Sequence, residues 1–375
     1  GSNENQPLRA SASARPILAV SPTSVMPPRL APTRPGSYAA VPMLLTLHTD
    51  SVASMLKPAR KGSAPKLALA DLPAYARQTL DMFGLNITTD LLAGATPSSL
   101  EKLRERADKE RCACLLLIEP EPLELGHESD DVGGAGVERI RRVIKAASIL
   151  GCNAIAVSVK SDDTEDFLDF TVDRFRQIVD TADKLDMNVL ISPRKGLTEK
   201  PERVTELIKK IGGFRVGTFP DFKVAVESGD PEAYLRKLVP YAPVICATTV
   251  ELTEPELPDE APPKPRKKVE DEEPTEAEPE SIDDEPEEDV EDDGPKGLEG
   301  LLSAVLGADD LEEDEEPAPP THGPYDLQPL VSTIASVGFD GTVAVRFSGK
   351  GDPSRGTDLS RWALEHAIGV ATAKK

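Results

Sequence analysis

From Val41 onward the chain alternates short apolar runs with longer segments whose apolar residues recur every three to four positions. The short runs have the length and branched aliphatic content of strands buried on both faces. They fall at 43–47, 85–88, 112–118, 154–159, 188–192, 214–219, 244–249 and 342–347. Between them lie helical patterns. Asp71 is placed to cap a helix over 71–83, with Leu72, Tyr75, Ala76 and Leu80 on one face. Pro97 suits the first turn of a helix that turns Leu100 and Leu103 inward. Val137, Ile140, Val143, Ile144 and Ala147 predict a helix over 136–150. Further helices are expected over 164–185, 198–211, 231–238 (after a short one), 326–337 and 359–370. Eight strands, each followed by a helix, is the pattern of a (β/α)8 barrel. Periodicity alone leaves an open doubly wound sheet as the alternative.

The beat breaks once. Between strand seven and the next helix the chain becomes rich in Glu, Asp and Pro, and residues 251–322 hold 29 acids against 5 bases. The remainder carries 37 acids and 38 bases, so the formal net charge of −23 belongs to one segment and the folded part is close to neutral. Such a segment buries too little apolar area to offset its ordering entropy, so residues 253–322 are expected to be a disordered acidic insertion. Within it, Leu298, Leu301, Leu302 and Val305 share one helical face, which suits a short partner-binding helix or a transient one. The basic cluster 264–268 reads as a local counterweight. Residues 1–40, rich in Pro, Ser and Ala, are expected to form a disordered arm. The barrel is thus expected in two pieces, 41–252 and 323–375.

Aromatic residues make up only 4% of the chain, so the core must rest on Val, Ile, Leu and Ala. No apolar run reaches the eighteen or so residues that span a bilayer, which argues against a membrane partner. A neutral body with an acidic arm repels phosphate backbones, so nucleic acid is not expected either. The four cysteines, Cys112, Cys114, Cys152 and Cys246, all fall in apolar strand-like runs without the further ligands a zinc site needs. They are expected to be buried reduced thiols, consistent with a cytoplasmic location.

Barrels of this kind carry their chemistry at the C-terminal ends of the strands. Strand five ends in Ser192, Pro193, Arg194, Lys195 and Gly196, strand six leads into Asp221, and strand seven contains Cys246 and Thr248. Strand eight ends in Arg346 and continues through Gly349, Lys350 and Gly351. In three stretches the chain resembles the xylose isomerase-like TIM barrels of the sugar phosphate isomerase/epimerase family. They are 71–77 with the strand that follows, 216–222, and 339–353 with the closing helix that contains Trp362. The resemblance runs over roughly 45–368, apart from the acidic insertion. It implies a divalent metal held by a Glu after strand five, an Asp after strand six, a His near strand seven and a Glu after strand eight, the two Glu residues also moving the proton. Carried over residue by residue, these positions fall on Ser192, Asp221, Cys246 and Arg346.

Only Asp221 keeps the family's residue type. One carboxylate, a thiol and a guanidinium are a poor set for a hard cation, and Arg346 cannot release its proton to act as a base. The expectation is therefore a degenerate site without metal cofactor. The four histidines, His48, His127, His322 and His366, lie away from the ligand positions, His48 being close to the end of strand one. An Arg346–Asp221 ion pair is expected at the barrel mouth, either structural or as part of an anion pocket completed by Arg194, Lys195 and Lys350. The glycine-rich run 133–136 is read as a loop before a helix, with amides free for a phosphate. Three readings stay open. One is a metal-dependent isomerase or epimerase with a rearranged site. Another is a degenerate barrel that binds a sugar, sugar phosphate or acid. The third is a scaffold presenting its acidic arm to a basic protein.

Overall fold

The computed structural model describes residues 43–58, 60, 63–253 and 318–373. The two segments expected to be disordered, and the helix expected near Leu301, lie outside these residues except at their edges. Eight parallel strands form one sheet: β1 Leu44–His48, β2 Gly84–Thr88, β3 Ala113–Ile118, β4 Ala154–Val157, β5 Asn188–Ile191, β6 Val216–Thr218, β7 Val244–Thr249 and, after two short strands described below, β10 Thr342–Phe347. Their spatial order is β6-β5-β4-β3-β2-β1-β10-β7. The first strand therefore lies against the last, with Leu44 opposite Thr342 and Leu47 opposite Val345. The remaining seam, between β6 and β7, is closed by an isolated parallel bridge of Asp221 with Cys246 and by the Cys246 N–H donating to the Pro220 carbonyl at 2.8 Å. This is a (β/α)8 barrel; the open doubly wound alternative is excluded by the closure.

Alternation along the strands divides the core in two. A small inner cluster contains Leu116, Ile118, Ala154, Ala156, Leu190, Phe219, Val244, Cys246 and Ala344. A larger cluster packs the outer strand faces against the helices, and its aliphatic make-up matches the scarcity of aromatic residues. Cys112 and Cys114 belong to the outer cluster, whereas Leu116 and Ile118, of the same parity, point inward. The register shift opposite Leu85 and Asn86 adds one residue to β3 at Leu115 and switches the faces. All four cysteines are buried and free, and burial pushes the Cys112 and Cys114 thiols up to about 12.

The outer helices follow from their caps and apolar stripes. After a four-residue turn α1 (Ala53–Leu56), helix α2 (Leu72–Gln78) is shorter than the apolar pattern suggested. Asp71 makes no cap bond and instead pairs with Arg106 at 3.2 Å. Helix α3 (Pro97–Lys109) starts with a reciprocal capping box between Thr96 and Ser99. Helix α4 (Asp130–Leu150) begins earlier than expected, so Gly133, Gly134 and Gly136 lie inside it and their amides are not a free phosphate cradle. Gly133 and Gly136 admit close neighbours, whereas Gly134 has nothing within 4 Å. A Cβ on Gly133 would lie 2.0 Å from the Arg174 guanidinium carbon, and one on Gly136 would lie 2.9 Å from Leu125. Arg174 is 4% exposed and donates to the carbonyls of Leu125, His127 and Ser129, which fixes the loop entering α4.

Helices α5 (Glu165–Asp183), α6 (Pro201–Ile211), α7 (Phe222–Glu227) and α8 (Pro231–Leu238) complete the ring up to β7. Strand β8 (Leu252–Thr253) then pairs antiparallel with β9 (Thr321–His322), Leu252 facing His322 and Thr253 facing Thr321. This two-residue clasp joins the chain before the acidic segment to the chain after it. Helix α9 (Leu327–Ser336) and the closing helix α10 (Pro353–Ala373) follow. The latter starts at Pro353 rather than 359, with Gly356 beneath the Phe347 ring, where a Cβ would come within 2.3 Å.

Candidate functional site

The C-terminal ends of the strands surround a polar hollow of about 210 Å³. Ser192, Asp221, Cys246 and Arg346 all line it. So do His48, Asp50 and Glu119, which sequence reasoning left out of the site. Position explains the omission. Asp50 lies two residues past β1, and β1 and β10 are neighbours only because the barrel closes the first strand onto the last.

Arg346 organises the hollow. One terminal nitrogen, Nη2, is 2.9 Å from Asp50 Oδ2, and the other, Nη1, is 4.0 Å from Asp221 Oδ2. The expected Arg346–Asp221 pair is thus the looser of two, and Asp50 is the main counter-charge. Burial opposes the arginine's charge, but the Asp50 and Asp221 carboxylates beside it favour that charge and its pKa stays above its ordinary value. Its Nε is buried with no hydrogen-bond partner. Asp221 is held independently of Arg346. Its Oδ1 caps α7 by accepting the Lys223 N–H at 2.9 Å, and its Oδ2 accepts the Thr248 hydroxyl at 2.5 Å. Thr248 is tied in turn to the chain returning from the clasp, because the Tyr325 hydroxyl donates to its carbonyl. His322 supports that return: Val250 N–H donates to its Nε2 at 3.0 Å.

His48 is 3% exposed. Burial lowers its pKa from 6.5 to about 4; Asp50 pulls the other way and Arg346 adds to the lowering. It is therefore a neutral imidazole near pH 7. Its Nδ1 accepts the Asp50 N–H at 3.2 Å, which leaves the ring proton on Nε2. Glu119, 3% exposed, is balanced by Arg139 at 2.7 Å. Burial, with Asp221 nearby, drives the Cys246 thiol well above its ordinary value, so it stays protonated.

These residues do not suit a divalent cation. Arg346 lies between the two nearest carboxylates, Cys246 is a neutral thiol, and Ser192 offers one hydroxyl. Among the described residues no group of three or more His, Cys, Asp or Glu side chains is placed to hold a metal ion.

The other expected cations are elsewhere. Arg194 and Lys195 line a separate hollow formed by the loops after β3, β4 and β5, with Lys160, His127 and Phe167. Arg194 therefore does not face Asp221 as expected. Lys350 lines a third hollow, beside Glu251, Asp352 and the start of α10. His127 borders the Arg194 hollow, while His322 and His366 border one near α9.

A parallel (β/α)8 barrel whose polar groups converge at the C-terminal mouth is the architecture of a TIM barrel. The family model for the xylose isomerase-like TIM barrel matches residues 75–366, and the chain belongs to that family. No curated protein matches the chain in sequence. Solved structures of similar fold include L-ribulose 3-epimerase (10% identity, TM-score 0.59, 88% of this chain and 96% of that one). Another is D-psicose 3-epimerase with D-tagatose from Clostridium cellulolyticum H10 (11% identity, TM-score 0.57, 88% and 99%). The IOLI protein with a binding zinc atom is similar to the same degree (13% identity, TM-score 0.57, 88% and 99%). At such identities the likeness is one of fold. No helix among the described residues is long and apolar enough to cross a membrane.

Proposed function

We propose that the barrel mouth binds a small polyhydroxy ligand of monosaccharide size and does not carry out metal-dependent isomerisation. The observation that carries this reading is Arg346 bridging Asp50 and Asp221 where the family's metal would be held. The charge balance favours a neutral ligand. Asp50, Asp221 and Glu119 face Arg346 and Arg139, so the mouth has one negative charge in excess and disfavours phosphate or carboxylate there. Sugar hydroxyls can donate to the two aspartates and accept from Arg346 and from His48 Nε2. A hollow of about 210 Å³ is smaller than drug-sized sites, which start near 300 Å³. The sugars in the names of two proteins of similar fold, L-ribulose 3-epimerase and D-psicose 3-epimerase with D-tagatose, agree with this ligand class.

Calorimetric titration with neutral aldoses and ketoses, alongside Mn²⁺ and Zn²⁺, tests the reading. Saturable sugar binding, weakened at least tenfold in Arg346→Met, is expected, with no stoichiometric metal. Tight metal binding that disappears in Asp221→Ala, accompanied by proton exchange on a ketose, would overturn it.

A further inference from the structure

The hollow between the loops after β3, β4 and β5 has a volume of about 530 Å³ and plays no part in the mouth. Lys160, on the rim of the hollow, pairs with Glu124 at 2.8 Å. Arg203 nearby is held by Asp163, Glu165 and Glu206. Arg194 and Lys195 have no carboxylate within 4.0 Å among the described residues. Of the acidic residues on the rim, Glu124 is spent on Lys160, and Glu199 accepts the Gly196 N–H at 3.4 Å. Asp162 is exposed to solvent.

The loop bearing the two cations is rigid. The Arg194 N–H donates to the Thr198 hydroxyl at 3.1 Å, and that hydroxyl returns a bond to the Arg194 carbonyl at 3.3 Å. Gly196 has φ +105°, and a Cβ there would lie 2.3 Å from the Ser161 carbonyl oxygen, so only glycine permits this approach. A third donor is oriented by tautomer. His127 Nδ1 accepts the Ser129 N–H at 2.9 Å, which places the ring proton on Nε2.

We propose that this hollow is an anion site for a phosphate group, held by the Arg194 guanidinium and the Lys195 ammonium with His127 Nε2–H as a further donor. A guanidinium beside an ammonium supplies both a planar fork and a mobile point charge for a phosphate. The site lies next to the mouth along two strands: Ser158 and Ser192 line the mouth, and Lys160 and Arg194, each two residues further on, line the hollow. Phosphate could therefore arrive free or attached to a sugar in the mouth. The site stands apart from the proposed sugar binding, because its residues and those of the mouth are different.

Titration calorimetry with inorganic phosphate, glucose 6-phosphate and glucose provides the test, on the full chain and on Arg194→Ala/Lys195→Ala. Both substitutions are on a surface loop, and an unchanged melting midpoint checks the fold. Inorganic phosphate is expected to bind the wild type at low ionic strength and at least tenfold more weakly the double variant. Arg346→Met should leave inorganic phosphate binding unchanged. Glucose 6-phosphate binding more tightly than either phosphate or glucose identifies a ligand-borne phosphate; affinity equal to that of phosphate identifies the free anion. Absence of phosphate binding to the wild type, or equal binding by the double variant, overturns the site. Loss of glucose binding alone counts only against the reading of the mouth.

Discussion

Acidification tests the burial of His48. The unfolded chain takes up this proton near pH 6.5 and the folded chain only near 4. Between those values the unfolded state binds more protons, so stability falls as pH falls, and above 6.5 the group contributes no slope. A full shift of this size is worth about 3 kcal/mol at 1.36 kcal/mol per pH unit. Most of it is realised by pH 4.5, roughly 2 kcal/mol. The side chain is only 4% exposed, so solvent screening removes little of this. Aspartates and glutamates titrate over the same range, so the wild type must be compared with His48→Gln. That variant keeps a polar side chain but cannot take up the proton. Urea unfolding of both proteins at pH 7 and 4.5 reads the effect. The wild type is expected to lose about 2 kcal/mol more than the variant over that interval. Parallel losses would mean that His48 is solvated in the native protein, and the neutral imidazole assigned to the mouth would have to be abandoned.

Arg346→Met should reduce stability by about 1 kcal/mol in urea unfolding, below the 3–5 of a fully buried pair, because the Arg346 and Asp50 side chains are 37% and 32% exposed. A loss of several kcal/mol would show a drier pair than the one described. In helix α4, Gly134→Ala meets nothing within 4 Å and should stabilise by up to about 1 kcal/mol, whereas Gly133→Ala displaces Arg174 and should cost about 1–2. Thermal or urea melts of the two variants moving in the same direction would contradict this. Replacing residues 254–320 by Asn-Gly, so that β8 and β9 form a tight hairpin, should leave unfolding stability within about 1 kcal/mol. Loss of cooperative unfolding would show that the deleted length belongs to the core.

The barrel was legible where burial on both faces leaves a continuous apolar run, as in β3 and β7. Helix starts were less so, because the sequence signal for a loop and for a close approach is the same residue, glycine. Gly133 and Gly136 suggested a flexible entry to α4, yet they are inside it to admit Arg174 and Leu125. Gly356 likewise admits Phe347 within α10. The four family positions do converge on one hollow. What the sequence could not reveal was who neutralises Arg346. Asp50 is almost three hundred residues away along the chain and becomes a partner only through the contact of β1 with β10. Arg194 and Lys195 directly follow β5, which points to the same mouth, but they line the hollow shared with the loops after β3 and β4.

The clasp of Leu252 and Thr253 with Thr321 and His322 makes the length of the intervening chain almost a free variable. Once two ends are held side by side, the entropy of closing the loop between them grows only with the logarithm of its length, and each doubling adds about 0.6 kcal/mol. The barrel can therefore carry a long or a short segment at this point with nearly the same folding equilibrium. Selection on that segment, for charge or for length, is released from selection on the fold. The segment is also rooted close to Thr248, whose hydroxyl holds Asp221 and whose carbonyl receives Tyr325. A displacement of the clasp would reach Asp221 through Tyr325 and Thr248.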